Sequence, residues 1–522
     1  MRVEGFLEQS ARFTPQKIAL VCQGSRLTYA ELDQLSNRLA NTLIETGVRR
    51  GDRVVVFLDN SAESVVSIFG ILKAGAVFIT ANHTMKTEKL TYIMNNSEAV
   101  ALISHAKQEP AFAGIERHSP SLRVIITVGA NYDAAGHNKV TVLQWDEALR
   151  PRTDHRPSPG IDLDLATIIY TSGSTGLPKG VMMTHLNMVT AATSITSYLE
   201  NSADDVILNV LPLSFDYGLY QILMGFKVGG TVVLEKSFAY PQLILNQLRD
   251  EKVTGFPIVP TMAALLLQMS TLTPGQFPHL RYITNTAAAL PPAHIKQLQR
   301  LFPSTKIFSM YGLTECKRVA YLPPDQLDVR PTSVGKAIPN TEVSIVNERG
   351  EKVGPGEIGE LVVRGAHVMK GYWKLPKETE RALRPGWVDG ETVLYSGDLF
   401  RADEEGYLYF VGRKDDMIKT RGEKVSPTEI EHVLYALTDV LEAAVIGVPD
   451  EVLGQAIMAV VVLREGAQLT DKEILAHCRQ HLEDFMVPQT IDIRRTLPKT
   501  DTGKIQKRPA SIEAGPAVVS RS

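Results

Sequence analysis

The chain has 522 residues, of which 44% are hydrophobic and 22% charged, and its formal net charge is −3. This length exceeds what one hydrophobic core supports and predicts about three domains or lobes. The near balance of charge gives no general field for nucleic acid, and no stretch is long and apolar enough to cross a membrane. Few cysteines and an N-terminus without a signal-peptide core lead us to expect a cytoplasmic protein with no nucleic-acid and no membrane partner.

The first part of the chain alternates helical and strand patterns. Thr28 is the predicted N-cap of an amphipathic helix, and Glu31 completes a capping box. A buried strand at Arg53–Leu58, a helix from Ala62 and a strand at Ala76–Thr80 then form a strand–helix–strand unit. Such alternation predicts parallel sheets that are covered by helices.

A loop rich in glycine and hydroxyl residues separates the predicted strand Ala166–Tyr170 from the apolar segment Val181–Met183. Glycines let the backbone approach a ligand, successive N–H groups bind anions, and Lys179 adds a positive charge. The loop therefore suggests a grip on a nucleotide triphosphate. A strand follows the lysine where a Walker loop has a helix, so we predict the tip of a hairpin. On composition alone, a flexible Ser/Gly turn is the alternative.

Short strands and glycine turns dominate residues 334–412. The segment Gly354–Gly359 matches the three-glycine dinucleotide pattern, but it lacks the strand before and the helix after that the pattern requires, so we predict a hairpin turn. A charged run follows Gly412, and we place a domain boundary at Asp415.

Three further stretches carry chemistry, and each has a plain structural alternative. Tyr311 to Glu315 follow a strand and offer an aromatic ring, a hydroxyl and a carboxylate, or they are an ordinary strand–loop. Asp398 follows a predicted tight turn and can accept from ribose hydroxyls, or it satisfies backbone groups. Lys504 lies in a basic, turn-rich loop, and the composition of this loop by itself favours a solvent-exposed basic surface.

Together, and in this order, these stretches resemble the adenylate-forming superfamily, which contains acyl-CoA synthetases, stand-alone adenylation enzymes and luciferases. The resemblance covers nearly the whole chain. It implies an α/β fold in which residues 1–414 form a large N-terminal domain of two helix-covered, mostly parallel sheets plus a small β-barrel-like region. Residues 415–522 are implied to form a small α+β lid domain that carries the catalytic lysine.

The resemblance implies ATP and Mg²⁺ as cofactors and assigns roles to residues. Thr314, Glu315 and Lys504 are the implied catalytic residues, Glu315 is the implied metal ligand, and Asp415 is the implied hinge. The stretch Asn285–Leu290 departs from the family because it lacks the usual glycines of the adenine loop. The implied nucleotide-binding residues are Thr171, Ser172, Gly173, Ser174, Thr175, Gly176, Lys179, Ala287, Ala288, Ala289, Tyr311, Gly312, Asp398 and Arg413.

The implied acyl pocket is mostly mid-sized, apolar or aromatic, which favours a small to medium carboxylic acid. Asp216 either binds a substrate amine or caps a helix that begins at Tyr217. Arg318 is either a pocket cation or, as we favour here, a member of a surface ion pair. The implied pocket residues are Phe215, Asp216, Tyr217, Tyr220, Pro257, Thr284, Thr286, Met310, Arg318 and Val319.

The expected reaction is adenylation of the acid, release of pyrophosphate and transfer to the phosphopantetheine thiol of CoA or of a carrier protein. One alternative is amide formation with a free amino acid, as in ligases resembling coronafacate ligase; oxidation of the adenylate, as in luciferases, is disfavoured. Another alternative is a non-catalytic nucleotide-binding relative. The chain ends soon after Lys504, so the acceptor is expected to come in trans.

Overall fold

The computed structural model describes residues 1–129, 140–150, 160–171, 178–420, 423–450, 452–499 and 505–507. Within these ranges, helices and strands alternate along most of the chain, and two 3₁₀ turns lie at Ala106–Gln108 and Pro324–Gln326. The α-helices are α1 (Gly5–Phe13), α2 (Tyr29–Glu45), α3 (Ala62–Lys73), α4 (Thr87–Ser97), α5 (Glu109–Phe112), α6 (Ile115–His118), α7 (Trp145–Ala148), α8 (His185–Tyr198), α9 (Asp216–Val228), α10 (Pro241–Asp250), α11 (Pro260–Gln268), α12 (Pro292–Leu301), α13 (Pro376–Ala382), α14 (Pro427–Tyr435) and α15 (Asp471–His481).

The strands form four sheets. They are β1 (Ile18–Cys22), β2 (Ser25–Thr28), β3 (Arg53–Phe57), β4 (Val77–Thr80), β5 (Ala101–His105), β6 (Val124–Val128), β7 (Thr141–Gln144), β8 (Leu165–Thr171), β9 (Lys179–Thr184), β10 (Val206–Asn209), β11 (Thr231–Leu234), β12 (Gly255–Ile258), β13 (Tyr282–Asn285), β14 (Lys306–Tyr311), β15 (Ala320–Leu322), β16 (Lys336–Ala337), β17 (Glu342–Val346), β18 (Gly359–Arg364), β19 (Gly371–Tyr372), β20 (Leu383–Pro385), β21 (Thr392–Ala402), β22 (Leu408–Arg413), β23 (Ile418–Thr420), β24 (Glu423–Val425), β25 (Val440–Asp450), β26 (Gly454–Leu463) and β27 (Thr490–Arg494).

The two largest sheets are mostly parallel. The first has nine strands in the order β16-β15-β14-β13-β12-β10-β11-β1-β2, and its pairs from β14 through β1 run parallel. The second has eight strands in the order β19-β9-β8-β4-β3-β5-β6-β7, with antiparallel pairing at β8–β9 and β9–β19. Strands that are buried on both faces carry continuous apolar runs, and β3, β4 and β5 show this pattern.

The two remaining sheets have five strands each. The third sheet, β17-β18-β21-β20 with β22 beside β21, is antiparallel throughout and occupies the predicted barrel-like region. The fourth, β24-β23-β26-β25 with β27 beside β26, contains only strands that follow Arg413 and packs against α14 and α15 around its own hydrophobic core. The predicted α/β fold class, with two mostly parallel sheets and a small α+β region at the C-terminus, is confirmed.

The local signals of the first helical unit agree with the structure. The hydroxyl of Thr28 accepts from the backbone N–H of Glu31, whose carboxylate accepts from the Thr28 backbone N–H, so the predicted capping box is present. Helix α3 begins at Ala62, as predicted, with Ser61 as its N-cap. Helices α2 and α3 bury their apolar faces in the main core, which gives most of the stability that short helices lack by themselves.

Two turn predictions have different outcomes. The glycine-rich segment after Asn347 connects β17 to the antiparallel β18, which confirms the hairpin turn. The predicted tight turn before Asp398 is wrong, because Asp398 lies inside the long strand β21. The pairing of β21 with β18 is irregular there, and Gly397 has a φ of 73°. The glycine therefore belongs to a β-bulge and not to a tight turn.

Within the part of the chain that the structure describes, none of the helices has the length and apolar character needed to cross a membrane. This finding is consistent with the broken apolar run around α3.

Candidate active site

The loops that follow parallel strands of both large sheets meet at one edge of the molecule. Strand β14 ends at Tyr311, and the loop after it reaches the segment around Tyr372, which is itself joined to the second sheet through β9. Loops at the carboxyl ends of parallel strands form the usual ligand crevice of α/β proteins. The predicted site residues are therefore expected to lie at this edge.

The predicted triphosphate loop is the connection of a β-hairpin. Strands β8 and β9 are antiparallel, and Thr171 pairs with Lys179 at the end of the ladder, which confirms the hairpin prediction. Lys179 Nζ lies 5.7 Å from the centroid of the Tyr372 ring. The loop residues Ser172, Gly173, Ser174, Thr175 and Gly176 lie outside the described residues.

The segment after β14 is a closed loop that presents Thr314 and Glu315. The backbone N–H of Val319 donates to the carbonyl of Tyr311 at 2.9 Å and closes the loop. A Cβ at Gly312 would lie 2.3 Å from the Lys317 carbonyl oxygen, so this close approach requires glycine. Thr314 and Glu315 are partly exposed within the loop.

A hydrogen bond fixes the Glu315 side chain. The hydroxyl of Tyr372 donates to Glu315 Oε1 at 2.7 Å, and the backbone N–H of Met369 donates to the Glu315 carbonyl at 2.7 Å. Burial and the Glu315 carboxylate both raise the pKa of Tyr372, so the phenol keeps its proton and remains the donor. Glu315 and Lys179 therefore approach the same tyrosine from two different sheets.

Tyr311, Asp398 and Arg413 form a second polar group. The Tyr311 hydroxyl donates to Asp398 Oδ2 at 2.5 Å, and Arg413 Nε lies 3.3 Å from Asp398 Oδ1. Asp398 pairs with Arg413 across the β21–β22 ladder, so the sheet register holds the two charges together. The Tyr311 ring packs edge-on against Phe400, with 4.8 Å between centroids. The structure thus brings these three predicted nucleotide-binding residues together.

The stretch that departs from the family's glycine-rich adenine loop has an unusual backbone. Ala287 has a φ of 79°, a conformation that non-glycine residues rarely adopt and that clusters at functional sites. The Asn285 amide donates to the Ala288 carbonyl at 3.0 Å, which holds the turn. Ala288 and Ala289 are exposed, so their backbone is accessible to a ligand.

The predicted acyl-pocket residues form one buried cluster. The Tyr217 hydroxyl lies 2.7 Å from Thr284 Oγ1, and Phe215 packs edge-on against Tyr217 with 6.3 Å between centroids. The Tyr198 hydroxyl donates to the sulfur of Met310 at 3.0 Å. The buried residues Pro257, Thr284, Thr286 and Val319 complete the set at the ends of β12 to β15.

Asp216 does not cap a helix. Helix α9 begins at Asp216 itself, the N-cap position is Phe215, and no side-chain cap hydrogen bond is present there. The Asp216 carboxylate instead lies 3.3 Å from Lys317 Nζ in a buried ion pair. The helix-cap interpretation is therefore wrong, because a charged partner from a distant loop decides where the carboxylate points.

The expectation that Arg318 belongs to a surface ion pair is also wrong. The Arg318 residue is 2% exposed, and its Nη1 donates to Thr286 Oγ1 at 2.6 Å. Its guanidinium carbon lies 5.4 Å from the centroid of the Tyr217 ring. The closed loop after β14 turns Arg318 inward, which local sequence could not show.

Sequence reasoning missed two residues of this site, Tyr372 and Lys317. Tyr372 is far from Glu315 in the chain, and no local pattern joins them. Lys317 was visible beside Arg318, but only the structure shows that it is buried. Burial lowers the pKa of Lys317 to about 7, and Arg318 adds to this effect while Asp216 opposes it.

The predicted lid residues are only partly described. Asp415 lies in an exposed turn between β22 and β23, where the N–H of Asp416 donates to the Arg413 carbonyl at 3.0 Å. Lys504 lies outside the described residues.

The fold and the site define a nucleotide-binding α/β enzyme, and comparison with known proteins identifies its family. Residues 7–373 match the model of the AMP-binding enzyme family, and residues 429–504 match the model of the AMP-binding enzyme C-terminal domain. The chain belongs to this family. The prediction of an AMP-forming acid–thiol ligase that works through an acyl-adenylate is confirmed at this level.

Two relatives show the range of similar proteins. The chain is 33% identical to a feruloyl-CoA synthase of Amycolatopsis, across 95% of the chain and 96% of the relative. It is 31% identical to a long-chain-fatty-acid–CoA ligase of Bacillus subtilis, across 97% of the chain and 93% of the relative. These names describe very different acids, so similarity alone does not identify the acid that this chain activates.

Two solved structures are similar over their whole length. The anthranilate CoA ligase AuaEII in complex with anthranoyl-AMP has a TM-score of 0.88 and 28% identity, with 97% of this chain and 95% of that chain covered. The o-succinylbenzoate CoA synthetase MenE of Bacillus subtilis, in complex with ATP and magnesium, has a TM-score of 0.83 and 27% identity, with 97% and 99% covered. ATP use by this chain is thereby supported.

The buried Asp216–Lys317 pair leads to a first prediction. Asp216→Asn removes the carboxylate that stabilises the buried Lys317 ammonium, and the variant should lose about 1 kcal/mol of stability at pH 6, just below the pKa of that amine. Because the pKa of Lys317 in the folded protein is lowered to about 7, the native amine is neutral above that pH, and the loss should shrink as the pH rises. Denaturant unfolding of the wild type and the variant at pH 6 and pH 9 measures the difference in their free energies of unfolding.

The control is the double variant Asp216→Asn, Lys317→Met, which removes both charges and should recover much of the stability. Equal losses in the single and double variants, at both pH values, would contradict the pairing.

Proposed function

We propose that this chain couples a small to medium carboxylic acid to CoA in two half-reactions. ATP first converts the acid to an acyl-adenylate with release of pyrophosphate, and the thiol of CoA then displaces AMP. The observation that supports this proposal most directly is the approach of Lys179 and Glu315 to one tyrosine, Tyr372. A cation from the glycine loop and a fixed carboxylate from the other large sheet are what a metal–triphosphate complex needs.

The nucleotide would lie along the edge that joins these groups. We assign the β8–β9 loop and Lys179 to the triphosphate, Thr314 to the α-phosphate, Tyr311 and the backbone of Ala287–Ala289 to adenine, and the Asp398–Arg413 pair to the ribose. The pairing of Asp398 with Arg413 by strand register supports the last assignment, since a rigid carboxylate can accept from ribose hydroxyls without being reordered.

The donor set at Glu315 fits Mg²⁺. In the described part of the chain, no group of three or more His, Cys, Asp or Glu side chains could hold a metal. A lone oriented carboxylate suits Mg²⁺, which commonly uses one or two carboxylates together with substrate phosphates. Glu315 would hold the ion, and the ion would supply positive charge to the phosphate oxygens.

The Tyr372–Glu315 hydrogen bond leads to a second prediction. Tyr372→Phe removes the donor that orients Glu315, and loss of such a supporting contact typically weakens metal binding or activity by about 10–100-fold. We expect the Mg²⁺ concentration for half-maximal AMP formation to rise by that factor. Tyr409→Phe is the matched control, because it removes a 3.1 Å hydroxyl–carboxylate bond to Asp403 away from the site. A Mg²⁺ response that is the same in both variants would oppose the role of Tyr372.

Attack of a carboxylate on the α-phosphate brings two anions together, so the reaction needs a cation at that point. We assign this role to Lys504, whereas Lys179 holds the phosphates. Removal of such a group typically costs about 10²–10³ in rate. Lys504→Ala should therefore lose acid-dependent pyrophosphate exchange while it still binds ATP.

Lys507→Ala is the control for this third prediction. Lys507 is close to Lys504 in sequence, and its ammonium pairs with Glu431 at 2.7 Å. The control should keep its exchange activity. Near wild-type exchange in Lys504→Ala would reject the assignment.

The two half-reactions place different demands on the C-terminal region, and we propose that residues 415–522 rotate about Asp415 between them. On the N-terminal side of Asp415, the Lys414 N–H donates to the Gly397 carbonyl at 2.9 Å, and Lys414 Nζ donates to Glu360 at 3.0 Å. These contacts fix one side of the turn, and Asp415 is the first residue after them.

A fourth prediction follows for the hinge. Asp415→Pro restricts φ at this position and limits the residue before it. Adenylate formation should persist, and thioester formation should fall sharply in single-turnover assays. Asp415→Ala is the control for loss of the carboxylate alone and should retain both steps. Equal losses of both half-reactions in the proline variant would place the hinge elsewhere.

For the acid, we favour a plain carboxylic acid over an amino acid. Asp216 is the residue that would bind a substrate amine, and the ammonium of Lys317 already pairs with it. The deciding experiment incubates the protein with ATP, Mg²⁺ and a panel of acids, with CoA, with a carrier protein, with free amino acids or with no acceptor, and identifies products by mass spectrometry. Acid-dependent AMP and an acyl-CoA product support the proposal. An amide product would identify an amino acid as the acceptor, and a carrier-bound product would identify a carrier protein. If no acid gives AMP, a non-catalytic protein is favoured.

A further inference from the structure

Two consecutive cations of the loop after β14 are buried beside the predicted acyl pocket. Lys317 is 3% exposed and Arg318 is 2% exposed. Both face the same aromatic wall, with Lys317 Nζ 5.9 Å and the Arg318 guanidinium carbon 5.4 Å from the centroid of the Tyr217 ring. Lys317 also lies 4.3 Å from the centroid of the Tyr220 ring. Burial of two adjacent cations is costly unless anions compensate them.

Among the described residues, a carboxylate pairs with only one of these two cations. The carboxylate of Asp216 pairs with Lys317 at 3.3 Å, and the carboxylate of Glu315 accepts from Tyr372. The Arg318 guanidinium donates to the hydroxyl of Thr286 and also interacts with the hydroxyl of Tyr198, and both of these partners are neutral. Among the described residues, no carboxylate pairs with Arg318 within ion-pair distance.

Two buried donors in the same cluster also lack an acceptor. Arg318 Nε and the Tyr220 hydroxyl are buried, and neither has a hydrogen-bond partner among the described residues. Burial raises the pKa of Tyr220, and Asp216 adds to this, so the hydroxyl keeps its proton and can donate. An unpaired buried donor destabilises the folded protein, and a charged one does so more strongly.

We infer that the acid which this protein activates is a dicarboxylic acid, whose second carboxylate binds Arg318. This inference rests on the proposed function, because it describes the acid of that reaction. A carboxylate is an acceptor with no proton to donate, so it matches two unpaired donors, and its planar oxygens fit the guanidinium fork. The Tyr217 and Phe215 rings would contact the carbon chain between the two carboxylates.

Other occupants fit the cluster less well. A substrate ammonium would meet Lys317 and Arg318 with the same sign of charge. A long alkyl chain would lie against both buried cations without giving either of them an acceptor. Burial is the main reason that the pKa of Lys317 is lowered, and Arg318 lowers it further, so a second carboxylate nearby would stabilise the charged form of Lys317.

The test compares acids of equal length with and without the second carboxylate. The probes are butanoate with butanedioate, hexanoate with hexanedioate, and benzoate with benzene-1,3-dicarboxylate. Acid-dependent AMP formation gives kcat and KM for the wild type and for Arg318→Gln. Arg281→Gln is the matched control, because Arg281 also lies over a tyrosine ring and pairs with Asp205, but it precedes β13 at the opposite end of the strand from Thr286.

The inference predicts that the wild type prefers the dicarboxylate of at least one pair. Arg318→Gln should lower kcat/KM for that dicarboxylate by about 30-fold or more, mainly through KM, since loss of one member of a buried charge pair costs 2–5 kcal/mol or more. The monocarboxylate should change far less, and Arg281→Gln should keep the wild-type preference. Thermal shift should show that the dicarboxylate stabilises the wild type and not Arg318→Gln.

Three results would overturn the inference. A wild type that forms AMP with monocarboxylates in preference to every dicarboxylate would show that Arg318 binds no second anion, while the proposed function would stand. An equal loss for both members of a pair in Arg318→Gln would assign Arg318 to the reacting carboxylate or to the fold. A wild type that forms AMP with no acid would reject the proposed function as well.

Discussion

The hydrogen bond from Tyr372 to Glu315 joins the two large sheets at the point where the proposed chemistry takes place. Glu315 follows β14 of the nine-stranded sheet, whereas Tyr372 lies on β19, an edge strand of the eight-stranded sheet that pairs with β9. Strand β9 begins at Lys179, so one sheet register fixes both the tyrosine and the lysine. Lys179 and Glu315 are therefore both positioned through Tyr372, and such preorganisation of charged groups is where electrostatic catalysis gains most.

The third sheet connects this site to the C-terminal region. Asp398 on β21 accepts from Tyr311 on the first sheet, and Arg413, the last residue of β22, pairs with the same carboxylate. The chain then turns at once into the fourth sheet. The group proposed to hold the ribose and the turn proposed to act as the hinge are therefore neighbours, so occupancy of one can influence the backbone of the other without a longer path through the core.

The sequence predicted local features well and long-range contacts poorly. The cap at Thr28 and the start of α3 at Ala62 depend on residues within one turn, and the structure agrees with both. The surroundings of Asp216 and Arg318 and the turn before Asp398 were predicted wrongly. Asp216 meets a lysine from another loop, Arg318 is turned inward by loop closure, and Asp398 lies on a bulge whose glycine has the composition of a turn. Family motifs supplied the order of the site residues, but not the side chains that orient them.

The distribution of charge explains why the overall composition does not predict a site that binds anions. The net charge is −3, so the protein as a whole does not attract anions, whereas the reaction of its family joins two of them. Several cations nevertheless lie at the candidate site: Lys179 at the start of β9, Arg413 beside Asp398, and the buried pair Lys317 and Arg318 after β14. Buried cations act over short distances and are weakly screened by salt, so they can stabilise charge that develops in the crevice while the surface stays acidic. The unequal pairing of Lys317 and Arg318 is therefore the feature through which we propose that this chain selects its acid.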